Sequence, residues 1–253
     1  METKLKGQLP IHIIHMEQNV ERLATFKLVN AHLSDRCSLF SAIDGKKIPR
    51  RELVLSNIIS ENNIYGPAAL GIMLSHLHLW KLAEESGENI TIMEDDIITH
   101  PQFFEIQQGV LRKLSDFDMI IWGCNYDWPI QVQPIDGFPP ATFFSIRNYW
   151  KDDEPNVHFS FDYPKFIETP IKSSAMRVKS CAGTCCYTIS PEGGKKLLNL
   201  CLPIGNISSF NIGADKARNW LNTGIDVEIN RHFDQLKAYL ACPLIAFTLN
   251  SKN

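Results

Sequence analysis

Glu94-Asp95-Asp96 sets three carboxylates side by side, directly after the apolar run Ile90-Thr91-Ile92-Met93 and directly before Ile97-Ile98. Adjacent acids repel one another, so folding alone would not select them. A divalent cation relieves that repulsion. Hard cations prefer oxygen ligands, and Mg²⁺ in particular takes one or two protein carboxylates and completes its shell with phosphate and water. Asn89 to Met93 is too short for a free-standing helix and reads as a buried strand. Ligands in open α/β sheets collect at the carboxyl ends of strands, so the triplet reads as a site for a metal and a diphosphate. It also admits a second reading, a solvated acidic turn or the N-terminus of a helix at Pro101, where acids are favoured.

Other catalytic patterns find no support. There is no Gly-x-Ser-x-Gly elbow for a serine hydrolase, and no Gly-x-Gly-x-x-Gly or Walker loop for a dinucleotide fold or a P-loop NTPase. His12 with His15, and His76 with His78, lie too close in sequence to converge well on zinc. The seven cysteines are odd in number and lack a disulfide framework or paired zinc spacing. Cys181, Cys185 and Cys186 read as small buried hydrophobes, with metal binding as the alternative.

The elements that must position the acids follow from periodicity. Ile11 to Met16 reads as a first strand, and Asn19 as the cap of a helix carrying Val20, Leu23, Ala24, Phe26 and Leu28. Arg22 sits near the start of that helix. A second strand is expected over Ser38 to Ile43, turned by Asp44-Gly45, and residues 46 to 65 read as irregular or weakly helical. Pro67 suits a first helical turn. From Ala68 to Glu85, Ala69, Ile72, Met73, Leu77, Trp80 and Ala83 recur at helical spacing, with His76 on the same stripe and Gly87 as the stop. A helix at Pro101 to Leu114 and a buried strand at Met119 to Gly123 complete an alternation that predicts a parallel-type α/β sheet with right-handed crossovers.

Asn125 to Lys179 is rich in proline and aromatics, among them Trp128, Phe143, Tyr149, Trp150, Phe159 and Phe166. A structureless loop of that length is unusual, so short strands are expected, for instance at Val157 to Phe161. The aromatics suit either a sugar-gripping acceptor side or a small second core. Beyond them the pattern gives a strand at Ser180 to Ser190, a helix at Pro191 to Leu200, a helix at Gly213 to Leu221 and a strand at Ile225 to Ile229.

Length allows one large domain or two small ones, since 253 residues can bury a substantial core. The net charge of −3 gives no sign of a nucleic-acid-binding face. No apolar run reaches the length of a membrane span, and Met1 to Pro10 lacks the apolar core of a signal peptide. The expected setting is the cytosol.

In this order the pieces resemble glycosyltransferase family 25, which includes bacterial lipooligosaccharide galactosyltransferases and procollagen galactosyltransferases. Ile14-His15-Met16 with Arg22 matches its opening strand and arginine, and Ala42-Ile43-Asp44-Gly45 its Asp-Gly turn. Gly71, Ser75-His76 and Trp80 match its Gly-x-x-x-Ser-His-x-x-x-Trp helix, and Glu94-Asp95-Asp96 its acidic site. Gly183-Thr184, Tyr187 and Ser190 match its Gly-Thr-x-x-Tyr-x-x-Ser segment. The resemblance covers Ile11 to about Pro243. Asn125 to Lys179 looks longer than in short bacterial members, and the basic, amphipathic tail of some members is not matched, which leaves peripheral membrane contact unsupported.

The resemblance implies an α/β fold of the GT-A type, a Rossmann-like nucleotide-sugar-binding sheet with an acceptor-side insertion. Residues 1–124 would form the nucleotide-sugar half and 125–253 the acceptor half of one domain. It implies an inverting, metal-dependent transfer of a hexose, commonly galactose from UDP-galactose, to a glycan hydroxyl in lipopolysaccharide or other surface-glycan synthesis. Asp96 would bind Mn²⁺ or Mg²⁺ directly, Asp95 the ribose or a metal-bound water, and Glu94 would support the nucleotide side. Asp215 or Asp234 would be the base that takes the acceptor proton, each otherwise a helix cap or surface acid. Arg22 would reach the nucleotide or be an exposed helix arginine, and Asp44 would meet uridine or the donor sugar or merely form its turn. Ser75 and His76 would contact the donor or serve the core. The rival classes are a nucleotide-sugar- or glycan-binding module without turnover and another metal-dependent phosphotransfer or hydrolysis enzyme.

Overall fold

The apolar run Ile11–His15 forms the first strand, β1, of the computed structural model, which describes residues 9–33, 36–125, 129–143, 162–212 and 217–248. Chain order then gives α1 (Val20–Val29), β2 (Cys37–Ser41), α2 (Arg50–Leu55), α3 (Pro67–Ser86), β3 (Ile90–Glu94), β4 (Ile97–Thr99), α4 (Phe103–Leu111) and β5 (Met119–Gly123). There follow β6 (Ile130–Gln133), β7 (Ala141–Phe143), α5 (Tyr163–Glu168), β8 (Ser174–Ser180), β9 (Cys186–Ile189) and α6 (Pro191–Cys201). The last elements are β10 (Ser209–Ile212), β11 (Ala217–Trp220), α7 (Ile225–Asn230), β12 (Ala238–Cys242) and β13 (Ala246–Thr248).

Nine strands form one sheet in the order β2-β1-β3-β9-β5-β12-β8-β6-β7. β1 is parallel to β2 and β3, and β12 is parallel to β5. The expected wholly parallel pattern is corrected at β9, which enters antiparallel between β3 and β5, and again at β8 and β7. The result is a mixed α/β sheet in which β1, β2, β3, β5, β6 and β12 share one direction.

Helices cover both faces of the sheet, as the strand sequences require. Along β5, Met119 and Ile121 join Trp80 of α3 and Leu197 of α6 in one core, while Ile120 and Trp122 join Phe26 of α1 and Phe103 of α4 in the other. A strand that alternates between two apolar layers reads as a continuous hydrophobic run. α3 begins with Pro67 and stops at Gly87, whose left-handed φ of 69° caps the helix.

Two local expectations change. Ala217–Trp220 is a strand paired with β10, where a helix was expected. Ile225–Asn230 is helical, where its alternating pattern suggested a strand. Residues 50–55 form a short helix inside the stretch read as irregular or weakly helical, within that expectation. The expected strand at Val157 to Phe161 and most of the aromatics of the long insertion lie outside the described residues. Among the described residues, no helix is long and apolar enough to cross a membrane.

Candidate functional site

Glu94 closes β3, Asp95 and Asp96 form a turn, and the chain re-enters a strand at Ile97. The acids therefore stand on a strand-to-strand turn, and the reading as a helix N-terminus is set aside. The triplet is not free in water. Arg22 reaches from α1 to Asp95 Oδ1 with Nε at 2.8 Å and to Asp96 Oδ2 with Nη2 at 2.6 Å. His15, the last residue of β1, donates from Nδ1 to Asp95 Oδ2 at 2.6 Å. Both oxygens of Asp95 are thus committed to protein donors. Asp96 keeps Oδ1 buried and without a hydrogen-bond partner, which is costly unless something else satisfies it.

Burial raises the carboxyl of Glu94 to about 8, with Asp96, Asp226 and Asp95 adding to the effect and Arg22 opposing it. Burial also raises Asp96, against the pull of Arg22. Three acids share one guanidinium here, so the cluster has unmet demand for positive charge. A divalent cation fits it: Asp96 Oδ1 is a hard oxygen donor with no protein partner.

Beside the triplet lies a cavity of about 280 Å³ at the carboxyl ends of β1, β2 and β3. Arg22, Asp44, Lys46, His76, Glu94 and Asp95 are among its wall residues. Its far wall is built by the docking of the Asp44-Gly45 turn on α3. Ser75 Oγ accepts the Ile43 N–H at 2.9 Å and donates to Gly71 O at 2.8 Å. Gly71 lets the turn come this close, because a Cβ there would lie 2.3 Å from Ile43 O. Ser75 is fully buried and is not a wall residue of the cavity; it positions the turn. The Asp44 side chain accepts the Lys46 N–H at 3.1 Å.

His76 is fully buried, and its Nδ1 lies 2.7 Å from the Tyr187 hydroxyl, which also accepts the indole N–H of Trp80 at 2.8 Å. An indole only donates, so the single hydroxyl proton is available to His76 Nδ1. Burial lowers His76 to about 4, which keeps the ring neutral near pH 7. With Nδ1 as acceptor the remaining proton sits on Nε2, an atom without a protein partner. His76, a wall residue of the cavity, thus carries a spare buried N–H donor. The helix motif and the Tyr187 strand motif meet in one hydrogen-bonded unit.

The two candidate bases fare differently. Asp215 lies outside the described residues. Asp234 is 81% exposed, pairs with Lys179 at 2.7 Å and lines neither this cavity nor the one beside it. His15, part of the matched opening strand but with no expected role, shares Asp95 with Arg22. Asp226 escapes the sequence reading, because alternation places it in a strand.

Cys181, Cys185 and Cys186 are buried free thiols, as expected. Among the described residues, one grouping has metal-ligand spacing: Cys201, Glu228 and His232, with ligand atoms within 4.8 Å of one another. Glu228 is already neutralised by Arg231 at 2.6 Å, and it accepts from His232 at 3.1 Å and from the Asn222 amide. Tyr65 in turn donates to Asn222 at 2.7 Å. That grouping is a satisfied polar network joining α7 to the loop before it.

Comparison with known proteins agrees with the motif order. Residues 8–209 match the family model described as glycosyltransferase family 25 (LPS biosynthesis protein). No curated protein matches the chain.

Proposed function

The chain belongs to glycosyltransferase family 25, and on that premise we propose that it moves a hexose, galactose first among candidates, from a UDP-sugar to a glycan hydroxyl with inversion. The family's place in lipopolysaccharide synthesis makes a cytoplasmic reaction on a surface-glycan precursor the natural setting. The observation that carries the reading is the buried, unpartnered Oδ1 of Asp96, which is not itself a wall residue but follows Asp95 on the wall of a cavity that also presents Arg22, Lys46 and His76.

In this reading the nucleotide occupies the cavity at the carboxyl ends of β1, β2 and β3, as in a GT-A type sheet. Arg22 and Lys46 offer positive charge to the diphosphate, and His76 Nε2–H offers a neutral donor to a donor oxygen. Asp96 would hold Mn²⁺ or Mg²⁺ through Oδ1, while Asp95, already bonded to Arg22 and His15, would reach the ion through water. When bound, the cation neutralises charge developing on the departing diphosphate. The protein's part is to hold Asp96 in place: Arg22 fixes its other oxygen, and Asp95, itself held by His15, fixes Arg22.

UDP release from a panel of UDP-sugars, with Mn²⁺, Mg²⁺ or EDTA, tests this directly. Release that needs the cation and favours one UDP-hexose is expected. Release from nucleoside triphosphates in preference to UDP-sugars would favour a phosphotransfer or hydrolysis enzyme. Binding without release would favour a nucleotide-sugar-binding protein.

A further inference from the structure

A second cavity, of about 260 Å³, adjoins the first and shares Glu94 and Ile72 with it. Its remaining walls come from Ala69 of α3, Asn125 after β5, Gly183 to Cys185 before β9, and Thr223 to Asp226 at the start of α7. Asp226 stands on this cavity's wall and not on that of the first. Its Oδ2 accepts the Gly183 N–H at 3.0 Å, and its Oδ1 makes no hydrogen bond among the described residues. Gly183 makes that contact from a left-handed φ of 74°, where a Cβ would strike the Asn125 side chain at 2.4 Å. The Gly-Thr segment is therefore shaped to pass close to Asn125 while orienting one carboxylate oxygen and leaving the other spare. Asp226 lies beyond the residues that match the family model.

We propose that this second cavity is the acceptor subsite and that Asp226 is the base of the transfer, an inference that rests on the donor reading of the first cavity. A sugar hydroxyl in the second cavity would face donor across the shared Glu94–Ile72 wall, with Asp226 behind it. An inverting displacement needs its base on the side away from the leaving group, and Asp226 is the carboxylate that lines the second cavity alone. The acceptor O–H breaks and its proton passes to Asp226 Oδ1. The acceptor oxygen bonds to the anomeric carbon, and the bond from that carbon to the β-phosphate oxygen breaks, its electron pair leaving with UDP.

The test compares wild type, Asp226→Asn and Thr223→Trp. Binding of UDP-sugars is read by thermal shift, and UDP release is read with water alone and with p-nitrophenyl galactoside, glucoside and N-acetylglucosaminide. Asp226→Asn keeps an oxygen for the Gly183 N–H, so it should bind donor like wild type while UDP release to water and glycosides falls about 10²–10⁴-fold. Thr223 is exposed at the cavity wall, so tryptophan there should lower transfer to glycosides more than release to water, read as the ratio of the two in one preparation. Asp226→Asn with wild-type release overturns the proposal. So does Thr223→Trp with that ratio unchanged, which decides the matter if Asp226→Asn does not fold. Wild type that binds UDP-sugars yet releases no UDP to any acceptor also contradicts it. Failure of wild type to bind any UDP-sugar would instead sink the donor reading.

Discussion

Arg22 grips Asp96 by one oxygen only: Nη2 lies 2.6 Å from Oδ2, and Oδ1 on the same carboxylate stays buried and unbonded. The guanidinium neutralises part of the triplet's charge and leaves one oxygen for something else. An exposed surface pair has no reason to bury its spare oxygen.

The charge imbalance should appear as a pH dependence of stability. Glu94 is raised to about 8, chiefly by burial and then by its acidic neighbours. Below about pH 4.5 the group is protonated in both folded and unfolded chains, and its contribution is fully present. Between about 4.5 and 8 the folded state holds a proton that the unfolded state has lost, so stability falls as pH rises through that window. Urea unfolding of cation-free protein at pH 5, 6, 7 and 8 should show the decline, at most about 1.4 kcal/mol per pH unit from one group. Glu94→Gln should flatten it. An unchanged slope in that variant would assign the effect elsewhere.

The Tyr187 hydroxyl should matter more to stability than its size suggests. Tyr187→Phe leaves the Trp80 indole N–H and His76 Nδ1 buried without their shared partner. Stranding buried polar groups costs about 1–3 kcal/mol, so a loss in that range is expected in urea unfolding, with the m-value unchanged. Donor affinity should fall too, because His76 loses the bond that fixes its tautomer. A fully stable variant with unchanged donor binding would contradict that role.

Two glycines in helices should respond with opposite sign. Gly109→Ala in α4 meets nothing within 4 Å and should stabilise by up to about 1 kcal/mol through helix propensity. Gly71→Ala gains the same propensity but drives a Cβ into Ile43 O. It should be destabilising, and it should weaken donor binding by displacing the turn that carries Asp44 and Lys46. Equal stabilisation at both positions would show that the turn is free to move.

Much of this site could be read from residue order. The buried strand ending in acids, the α3 helix with its glycine stop and the Asp-Gly turn all depend on local spacing, and the structure keeps them, while Ile72 of the α3 stripe leaves the core, 46% exposed, to line both cavities. What sequence hid is tertiary. β9 is a short, fully buried strand, and such a run carries no mark of its direction. Ile225, Val227 and Ile229 alternate with Asp226 and Glu228 as in a half-buried strand. In the structure Glu228 is buried against Arg231, His232 and Asn222, which accommodates an acid on the inner side of a helix. That misreading also concealed Asp226 as a cavity residue. The partnership of His15 with Asp95 spans 80 positions, and no local pattern announces it.

The central claim is that the free oxygen of Asp96 joins a cation to a UDP-sugar. Its most direct test is a thermal-shift comparison of wild type and Asp96→Asn with UDP and UDP-galactose, each with and without Mn²⁺. A ligand that binds only the folded state stabilises by about 2.7 kcal/mol at a hundredfold excess over Kd. Stabilisation of wild type that requires Mn²⁺ and vanishes in a folded Asp96→Asn protein is the expected result. Stabilisation that is independent of Mn²⁺, or that survives the substitution unchanged, would contradict it.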